Sequence, residues 1–339
     1  MSLLPSLRPP LRPAAPAPRL VVTPAVVAHR GASGYRREHT LDAYRTAVAM
    51  GADAVELDLV PTADGVLVVR HESELSRSTD VAEHTALAPL CTTKVIGGRP
   101  VTGWFTEDLT LDQVRTLTAR ERLPGLRAPS PDRSAAGVPT FAEVLAVLGE
   151  ESARHRRAVG VLVELKDPAY FAGLGLPLED PLLADLARHG LDRPRSGVTL
   201  MSFDPGVLRR LAARTTLPLV RLLDVGDDVG PEALDAVAAY AEGVGVHQRL
   251  VLPRTAGGRL GPPTRLIREA HRRRLTVHAW TLRAENAFLP LEHRRGDDPA
   301  VLGDHRAAVG TLLDAGVDGI ITDHPDLVLD AVRAHGRRT

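Results

Sequence analysis

The chain has 339 residues, and its 42 basic and 42 acidic side chains leave it with no net charge. Hydrophobic residues make up 44% of the chain, which is ordinary for a folded protein and too high for a disordered one. The balanced charge argues against a nucleic-acid or membrane-surface role. The single cysteine excludes an intrachain disulfide, and no apolar run reaches the roughly 18 residues that a membrane helix needs.

Residues 1–24 differ in composition from the rest of the chain, with seven prolines, three arginines and no acidic residue. Proline at this density prevents a continuous helix, so we predict a flexible tail followed by one domain over 25–339. Prolines also interrupt the apolar stretch of about 7–15 residues that an export signal needs. The expected location is therefore the cytoplasm. An atypical export signal is the alternative, because the length and positive charge of the segment fit one.

From residue 25 onward, short apolar runs rich in β-branched residues alternate with amphipathic stretches. The runs cover 25–29, 53–60, 66–70, 159–165, 197–202, 218–223, 243–247, 275–280 and 317–322. Residues with capping chemistry precede several predicted helices, namely Thr40, Thr110, Thr140 and Asp204. This alternation predicts a parallel sheet covered by helices.

Two of the nine runs lie too close together to be parallel neighbours. A parallel crossover needs a dozen or more residues, so runs 53–60 and 66–70 are predicted to form an antiparallel hairpin. With Asp64 and Gly65 as its two turn residues, Asp58 would lie opposite His71. Counting the hairpin as one position leaves eight. We therefore predict a (β/α)8 TIM barrel with a β-hairpin at the second strand position and inserted loops at the C-terminal rim; a doubly wound open sheet is the alternative.

Polar residues gather at the ends of the predicted strands, where barrel enzymes place their functional groups. These residues are His29, Arg30, Glu56, Asp58, His71, Glu164 and Lys166. Positions two apart leave one face of a strand together, and carboxylates without cysteine favour Ca²⁺ or Mg²⁺ over zinc. Each residue alone has an ordinary explanation, such as a solvated loop histidine or a surface ion pair. Their joint placement at consecutive strand ends does not fit a solvated face, because neighbouring barrel strands are buried.

The ordered motifs resemble the glycerophosphodiester phosphodiesterases, and most closely the bacterial periplasmic-type branch of that family. They are the segment 29–34 (HRGASG), the segment 38–40 (EHT), the segment 56–58 (ELD) and His71. Matching segments follow at 51–53, 79–82, 104–106, 140–141, 164–166, 202–204, 280–281, 316–319 and 322–323. The resemblance covers about residues 25–335. It departs from the family pattern at Arg37, where proline is usual, and at Glu72, where aspartate is usual, and neither change removes a predicted ligand.

The resemblance implies hydrolysis of glycerophosphodiesters, such as glycerophosphocholine or glycerophosphoethanolamine, to glycerol 3-phosphate and an alcohol, a reaction of lipid and glycerol metabolism. Glu56, Asp58 and Glu164 would hold one divalent cation, with Ca²⁺ favoured and Mg²⁺ second. Arg30 and Lys166 would bind the phosphate of a small-molecule substrate.

The same resemblance implies that His29 acts as general base and His71 as general acid, although the sequence does not fix that order. The first nucleophile would be the neighbouring glycerol hydroxyl, giving a cyclic phosphate that water then opens. Phe203 and Trp280 would contact the glycerol carbons or the leaving group, or simply pack at the barrel mouth. The charged stretch from Arg283 to Arg306 is interpreted as a lid or selectivity loop.

The sequence leaves two alternative functions. A lysophospholipase D-like or sphingolipid phosphodiesterase would need an apolar groove for the lipid. The aromatic content of 3% gives no sign of such a groove. A non-catalytic barrel that binds phosphate ligands would be favoured if a histidine or carboxylate of the set were missing, and none is. The sequence indicates neither the head group that is preferred nor the oligomeric state.

Overall fold

A computed structural model describes residues 24–96, 98–127 and 136–336 of the chain. The predicted flexible tail over 1–24 therefore lies outside the described residues, apart from Pro24. Within the described ranges, no helix combines the length and the apolar character needed to cross a bilayer.

Nine of the described strands follow the nine predicted apolar runs, and the first begins at Ala25. The strands are β1 (Ala25–His29), β2 (Ala54–Pro61), β3 (Leu67–Val69), β4 (Thr92–Ile96), β5 (Arg99–Gly103), β6 (Gly160–Leu165), β7 (Val198–Ser202), β8 (Leu219–Leu223), β9 (Gly243–His247), β10 (Thr276–Leu282) and β11 (Gly319–Thr322).

Helices separate most of the strands, and several begin at the predicted caps. They are α1 (Leu41–Met50), α2 (Leu111–Val114), α3 (Phe141–Arg154), α4 (Pro168–Gly173), α5 (Glu179–Arg188), α6 (Pro205–Ala212), α7 (Pro231–Ala238), α8 (Gln248–Val251), α9 (Leu266–Arg272), α10 (His305–Ala315) and α11 (Pro325–Gly336). Thr110 and Thr140 each form a complete capping box, in which threonine and the residue three positions later exchange hydrogen bonds.

Eight parallel strands close into a barrel. Their order around the barrel is β1-β2-β6-β7-β8-β9-β10-β11, and β11 pairs with β1 to complete the ring. The TIM barrel is confirmed and the open-sheet alternative is wrong. A small apolar cluster joins β1, β2, β6, β7, β8 and β11, and a larger one packs the strands against the helices.

The predicted hairpin is present, but its predicted register is wrong by one residue. The strand β3 runs antiparallel to β2, with Leu59 opposite Val69 and Pro61 opposite Leu67. The loop has three residues because Thr62 pairs with Val66, and Gly65 supplies the positive φ of 77° that such a loop requires. Asp58 therefore lies opposite Arg70, and His71 follows one position later.

A second hairpin, β4 with β5, was not predicted. Its strands are mostly exposed and carry no apolar run, so the hydrophobic pattern gives no signal for them. It belongs to the long insertion between β3 and β6, at the barrel rim.

Gly31 offers a test of the backbone that carries the first site residues. Its φ is +84°, and a Cβ atom placed on it would lie 2.7 Å from the carbonyl carbon of Ala43 in α1. We expect Gly31→Ala to lower the free energy of unfolding by about 1–3 kcal/mol or more. Urea denaturation monitored by circular dichroism measures this change.

Gly149→Ala is the matched control, because Gly149 lies in α3 with open space where its Cβ would be. That substitution should stabilise the protein by about 0.5–1 kcal/mol, as alanine restricts the unfolded chain. Equal effects of the two substitutions would contradict the assigned role of Gly31.

Candidate active site

Three buried carboxylates meet at the C-terminal rim of the barrel. Glu56, Asp58 and Glu164 each place an oxygen within 4.8 Å of the others. The strand register explains the cluster, because β2 and β6 are parallel neighbours that pair Asp58 with Glu164, and Glu56 leaves the same face of β2 two positions earlier. The sequence-based grouping of these three residues is thus reproduced by the fold.

Burial and mutual repulsion dominate the electrostatics of this cluster. Burial, together with the charge of Asp58, raises the pKa of Glu56 well above its ordinary value. Burial likewise raises the pKa of Glu164 to about 8, although Lys166 acts in the opposite direction. Burial also disfavours ionised Asp58, but the charge of Arg30 helps to hold the pKa of Asp58 well below its ordinary range. A bound divalent cation would relieve this strain by favouring three ionised carboxylates.

Asp58 is oriented by two basic side chains and keeps one oxygen unused. Its Oδ2 accepts from His39 Nε2 at 2.9 Å and lies 3.2 Å from Arg30 Nε, whereas its buried Oδ1 has no hydrogen-bond partner. The backbone amide of Arg30 donates to Glu56 Oε2 at 3.0 Å. An orphaned carboxylate oxygen beside two further carboxylates fits a hard cation with oxygen ligands.

His29 is the last residue of β1 and is fixed by the carboxylate of Asp323, which directly follows β11. Its Nδ1 lies 2.6 Å from Asp323 Oδ1, both side chains being buried. Since the ionised Asp323 accepts a hydrogen bond from Nδ1–H, the neutral ring presents Nε2 as an acceptor. Burial, together with the charge of Arg30, lowers the pKa of His29 to about 3, so the ring is neutral at physiological pH.

Asp323 also anchors residues from two loops. Its Oδ2 accepts from Arg127 Nη2 at 2.6 Å and from Arg283 Nε at 2.7 Å. Arg127 in turn donates to Glu285 Oε1 at 2.6 Å and to the carbonyl oxygen of Ser33. These contacts lock the partner of His29 between the insertion that follows β5 and the loop that follows β10.

His71 lies next to the carboxylate cluster, despite the one-residue shift in the hairpin. Its Nε2 is 3.4 Å from Lys166 Nζ, and its Nδ1 is 2.7 Å from Glu72 Oε1. The longer side chain of Glu72 thus still reaches the histidine. Burial, with the charge of Arg30, lowers the pKa of His71 below its ordinary value.

Lys166 and Arg30 bring positive charge to the cluster. Lys166 Nζ lies 2.8 Å from Glu164 Oε1 and 3.9 Å from Asp58 Oδ1. Arg30 is buried and donates from Nη1 to both oxygens of Glu38 at 3.1 Å. Arg30 is therefore held rigidly at the edge of the site, and Lys166 bridges the two sides of the carboxylate cluster.

A cavity of about 440 Å³ opens over the carboxylates and is lined by both histidines, Arg30 and Lys166. Phe203 and Trp280 form part of its wall, with their ring centroids 5.7 Å apart and nearly perpendicular. Eight of the nine residues singled out from the sequence line this cavity, and the ninth, Asp58, joins them through its cluster with Glu56 and Glu164.

The stretch from Arg283 to Arg306 forms one side of this cavity. Within it, the buried side chain of Asn286 donates to the carbonyl oxygens of Arg295 and Asp298, which holds an otherwise irregular loop together. Arg283 and Phe288 of this stretch line the cavity. The loop therefore contributes directly to the walls of the site.

Sequence reasoning missed several residues that shape the site. His39 belongs to the EHT motif at 38–40, but the motif does not predict its contact with Asp58. Asp323 likewise lies in a family segment that does not predict its contact with His29. Arg127 had no sequence signal. The partner of His29 is 294 positions away in the chain, and only closure of the barrel through β1 and β11 brings the two together.

Comparisons with known proteins agree on one family. The family model described as "Glycerophosphoryl diester phosphodiesterase family" matches residues 29–327. A glycerophosphodiester phosphodiesterase of Arabidopsis thaliana is 31% identical over 88% of this chain and 83% of its own length. One from Bacillus subtilis is 30% identical over 89% of this chain and 84% of its own.

Solved structures share the fold. A crystal structure from Silicibacter pomeroyi, described as a putative glycerophosphoryl diester phosphodiesterase, has a TM-score of 0.67 and 24% identity, covering 93% of this chain and 95% of that one. An Oleispira antarctica phosphodiesterase in complex with the product sn-glycerol-3-phosphate has a TM-score of 0.62 and 18% identity, covering 92% and 97%.

Proposed function

Because this chain belongs to the glycerophosphoryl diester phosphodiesterase family, we propose that it hydrolyses glycerophosphodiesters to glycerol 3-phosphate and an alcohol. The observation that carries the proposal is one cavity in which two histidines flank three clustered carboxylates. Glycerophosphocholine and glycerophosphoethanolamine are representative substrates.

The carboxylate cluster is proposed to hold a divalent cation, with Ca²⁺ favoured and Mg²⁺ second. Glu56, Asp58 and Glu164 offer oxygen ligands only, which suits both ions. When bound, the cation would neutralise a non-bridging oxygen of the phosphodiester. Arg30 and Lys166 add positive charge on the phosphate from the protein side.

His29 is proposed as the general base. The hydrogen bond to Asp323 leaves Nε2 as the unprotonated nitrogen of a ring that lines the cavity, and the low pKa of His29 keeps that ring neutral at physiological pH. It would take the proton of the glycerol hydroxyl that neighbours the phosphate ester. The oxygen of that hydroxyl then attacks phosphorus to give a cyclic phosphate, as the alcohol departs. In the second step water opens the ring.

His71 is proposed as the general acid that protonates the departing alkoxide. It approaches from the hairpin side, next to Lys166, while His29 comes from β1. The carboxylate of Glu72 stabilises its protonated form. General acid and base groups of this kind each contribute roughly 10²–10⁴-fold to a rate. Phe203 and Trp280 would bind the carbon atoms of the substrate.

Direct product analysis tests the function. The purified protein with added Ca²⁺ is expected to release glycerol 3-phosphate and the free alcohol from glycerophosphocholine and from glycerophosphoglycerol. Appearance of phosphocholine would place the cleavage at the other ester bond. Hydrolysis of lysophosphatidylcholine alone would favour the lipid-directed alternative, and binding without turnover of any substrate would favour a non-catalytic barrel.

A further inference from the structure

The cavity has an electrostatic asymmetry that the proposed chemistry does not use. Its carboxylates Glu56 and Glu164 lie on β2 and β6, whereas the opposite side of its mouth carries Arg249, Arg254 and Arg283. In the ring order, β9 is four positions from β2, and β10 is four positions from β6. The arginines that follow β9 and β10 therefore face the carboxylate cluster across the barrel mouth.

Two of these arginines have no acidic partner. Among the residues that the structure describes, neither Arg249 nor Arg254 has a carboxylate within ion-pair distance, whereas Arg283 is paired with Asp323. Arg254 is half-buried and donates from Nη2 to the carbonyl oxygen of Phe288. Burial, with the charges of Arg249 and Arg294, lowers the pKa of Arg254 to about 10.

In the part of the chain that the structure describes, the acidic groups near Arg249 and Arg254 form no ion pair with either arginine. Asp224 lines the same side of the cavity, but it is exposed and its Oδ1 accepts from the backbone amide of Val225. Glu292 acts on Arg254 more weakly than the neighbouring arginines do. Two neighbouring arginines with no ion-paired carboxylate among the described residues favour binding of an anion at this position.

We propose that Arg249 and Arg254 form a second anion subsite, so that the preferred substrates are glycerophosphodiesters whose alcohol carries a further phosphate. This inference rests on the proposed function, since the catalytic groups must hold the first phosphate. Arg249 and Arg254 line the same cavity as those groups, with Phe203 and Trp280 also in its wall, so the alcohol of such a substrate would extend across the mouth toward the arginines. A cationic alcohol such as choline would be disfavoured at the same place.

Three substrates that differ in the charge of the alcohol test the proposal: glycerophosphocholine, glycerophosphoglycerol, and glycerophosphoglycerol with a terminal phosphate. We expect kcat/KM to be about 10- to 100-fold higher for the phosphorylated substrate than for glycerophosphoglycerol, the size expected of charge-assisted hydrogen bonds. In the Arg249→Gln/Arg254→Gln double variant this ratio should fall to near one. Arg254→Lys, which keeps the positive charge, should retain most of the preference for the phosphorylated substrate.

The matched control is Arg268→Gln/Arg272→Gln, which removes the same charge from exposed positions on α9 that do not line the cavity. Its substrate ratio should equal that of the parent. If kcat/KM fell equally for all three substrates in the Arg249/Arg254 variant, these residues would attract anions in general and the proposal would be overturned. A ratio near one in the parent would overturn it as well. Failure of the parent to hydrolyse any of the three would instead count against the proposed function.

Discussion

Chelation of divalent cations is expected to abolish hydrolysis, and one divalent ion should restore it, with Ca²⁺ more effective than Mg²⁺. The reason is the cluster of Glu56, Asp58 and Glu164, each of which places an oxygen within 4.8 Å of the others, and the buried Oδ1 of Asp58, which has no hydrogen-bond partner. Without a cation the phosphate would meet three acidic groups. The measurement is the initial rate of glycerol 3-phosphate release after treatment with chelator and on titration with each metal.

Glu56→Gln separates a ligand role from a structural one. The substitution removes one ligand charge with little change in shape, so at limiting metal the activity should be lost and the metal concentration for half-maximal activity should rise. Metal should also stabilise the parent against heat, by about 2.7 kcal/mol at 100 times its Kd, and this stabilisation should weaken in the variant. Without metal, Glu56→Gln should melt no lower than the parent, because burial and Asp58 already disfavour ionised Glu56.

Glu151→Gln is the control, because Glu151 is another buried carboxylate but lies on α3, where it pairs with Arg45. Its metal response should equal that of the parent. Full activity of Glu56→Gln at limiting metal would show that Glu56 is not a ligand.

The barrel could be predicted from sequence because each of its strands is a buried apolar run. Such a run is recognisable without knowledge of its neighbours, as in 243–247, which became β9 unchanged. The hairpin was predictable for the same reason, but its register was not. Two-residue and three-residue loops are both compatible with the sequence around Asp64 and Gly65, and a change of one residue moves every pairing.

The site was predictable only in part, because its contacts are of two kinds. Glu56 and Asp58 share a strand, so their common direction follows from the spacing alone. The bond from His29 to Asp323 joins the end of the first barrel strand to the residue that follows the last one, and the contact of Arg127 with Asp323 crosses between loops. No local pattern specifies contacts of this kind. They follow from barrel closure and from the path of an insertion.

The two histidines are expected to respond differently to the leaving group. His29→Ala should slow every diester by about 10²–10⁴-fold, because removal of the base affects attack whatever the alcohol is. His71→Ala should cause a similar loss only with poor alkyl leaving groups such as glycerol or choline. A nitrophenyl diester departs without protonation and should be partly spared. The measurement is kcat/KM for both substrate types in each variant.

The pH profile gives a second reading of the same roles. A base must be neutral, so activity rises as pH increases through the pKa of His29, which burial and Arg30 lower to about 3. An acid must be protonated, so activity falls as pH increases through the pKa of His71, which burial lowers below the ordinary histidine value. The parent profile of kcat/KM should therefore be bell-shaped, and His71→Ala should lose its basic limb.

Asp323→Asn completes the set, because it keeps a hydrogen-bonding group next to His29 but removes the charge that fixes its tautomer. Turnover should fall for both substrate types, by less than in His29→Ala, and with no change in leaving-group preference. Equal losses on the alkyl and nitrophenyl diesters in His71→Ala would exclude its role as the acid. The structure places His71 in the cavity, with its Nε2 3.4 Å from Lys166 Nζ. Unchanged rates for both substrates in His71→Ala would therefore show that the histidine takes no part in the reaction despite its position.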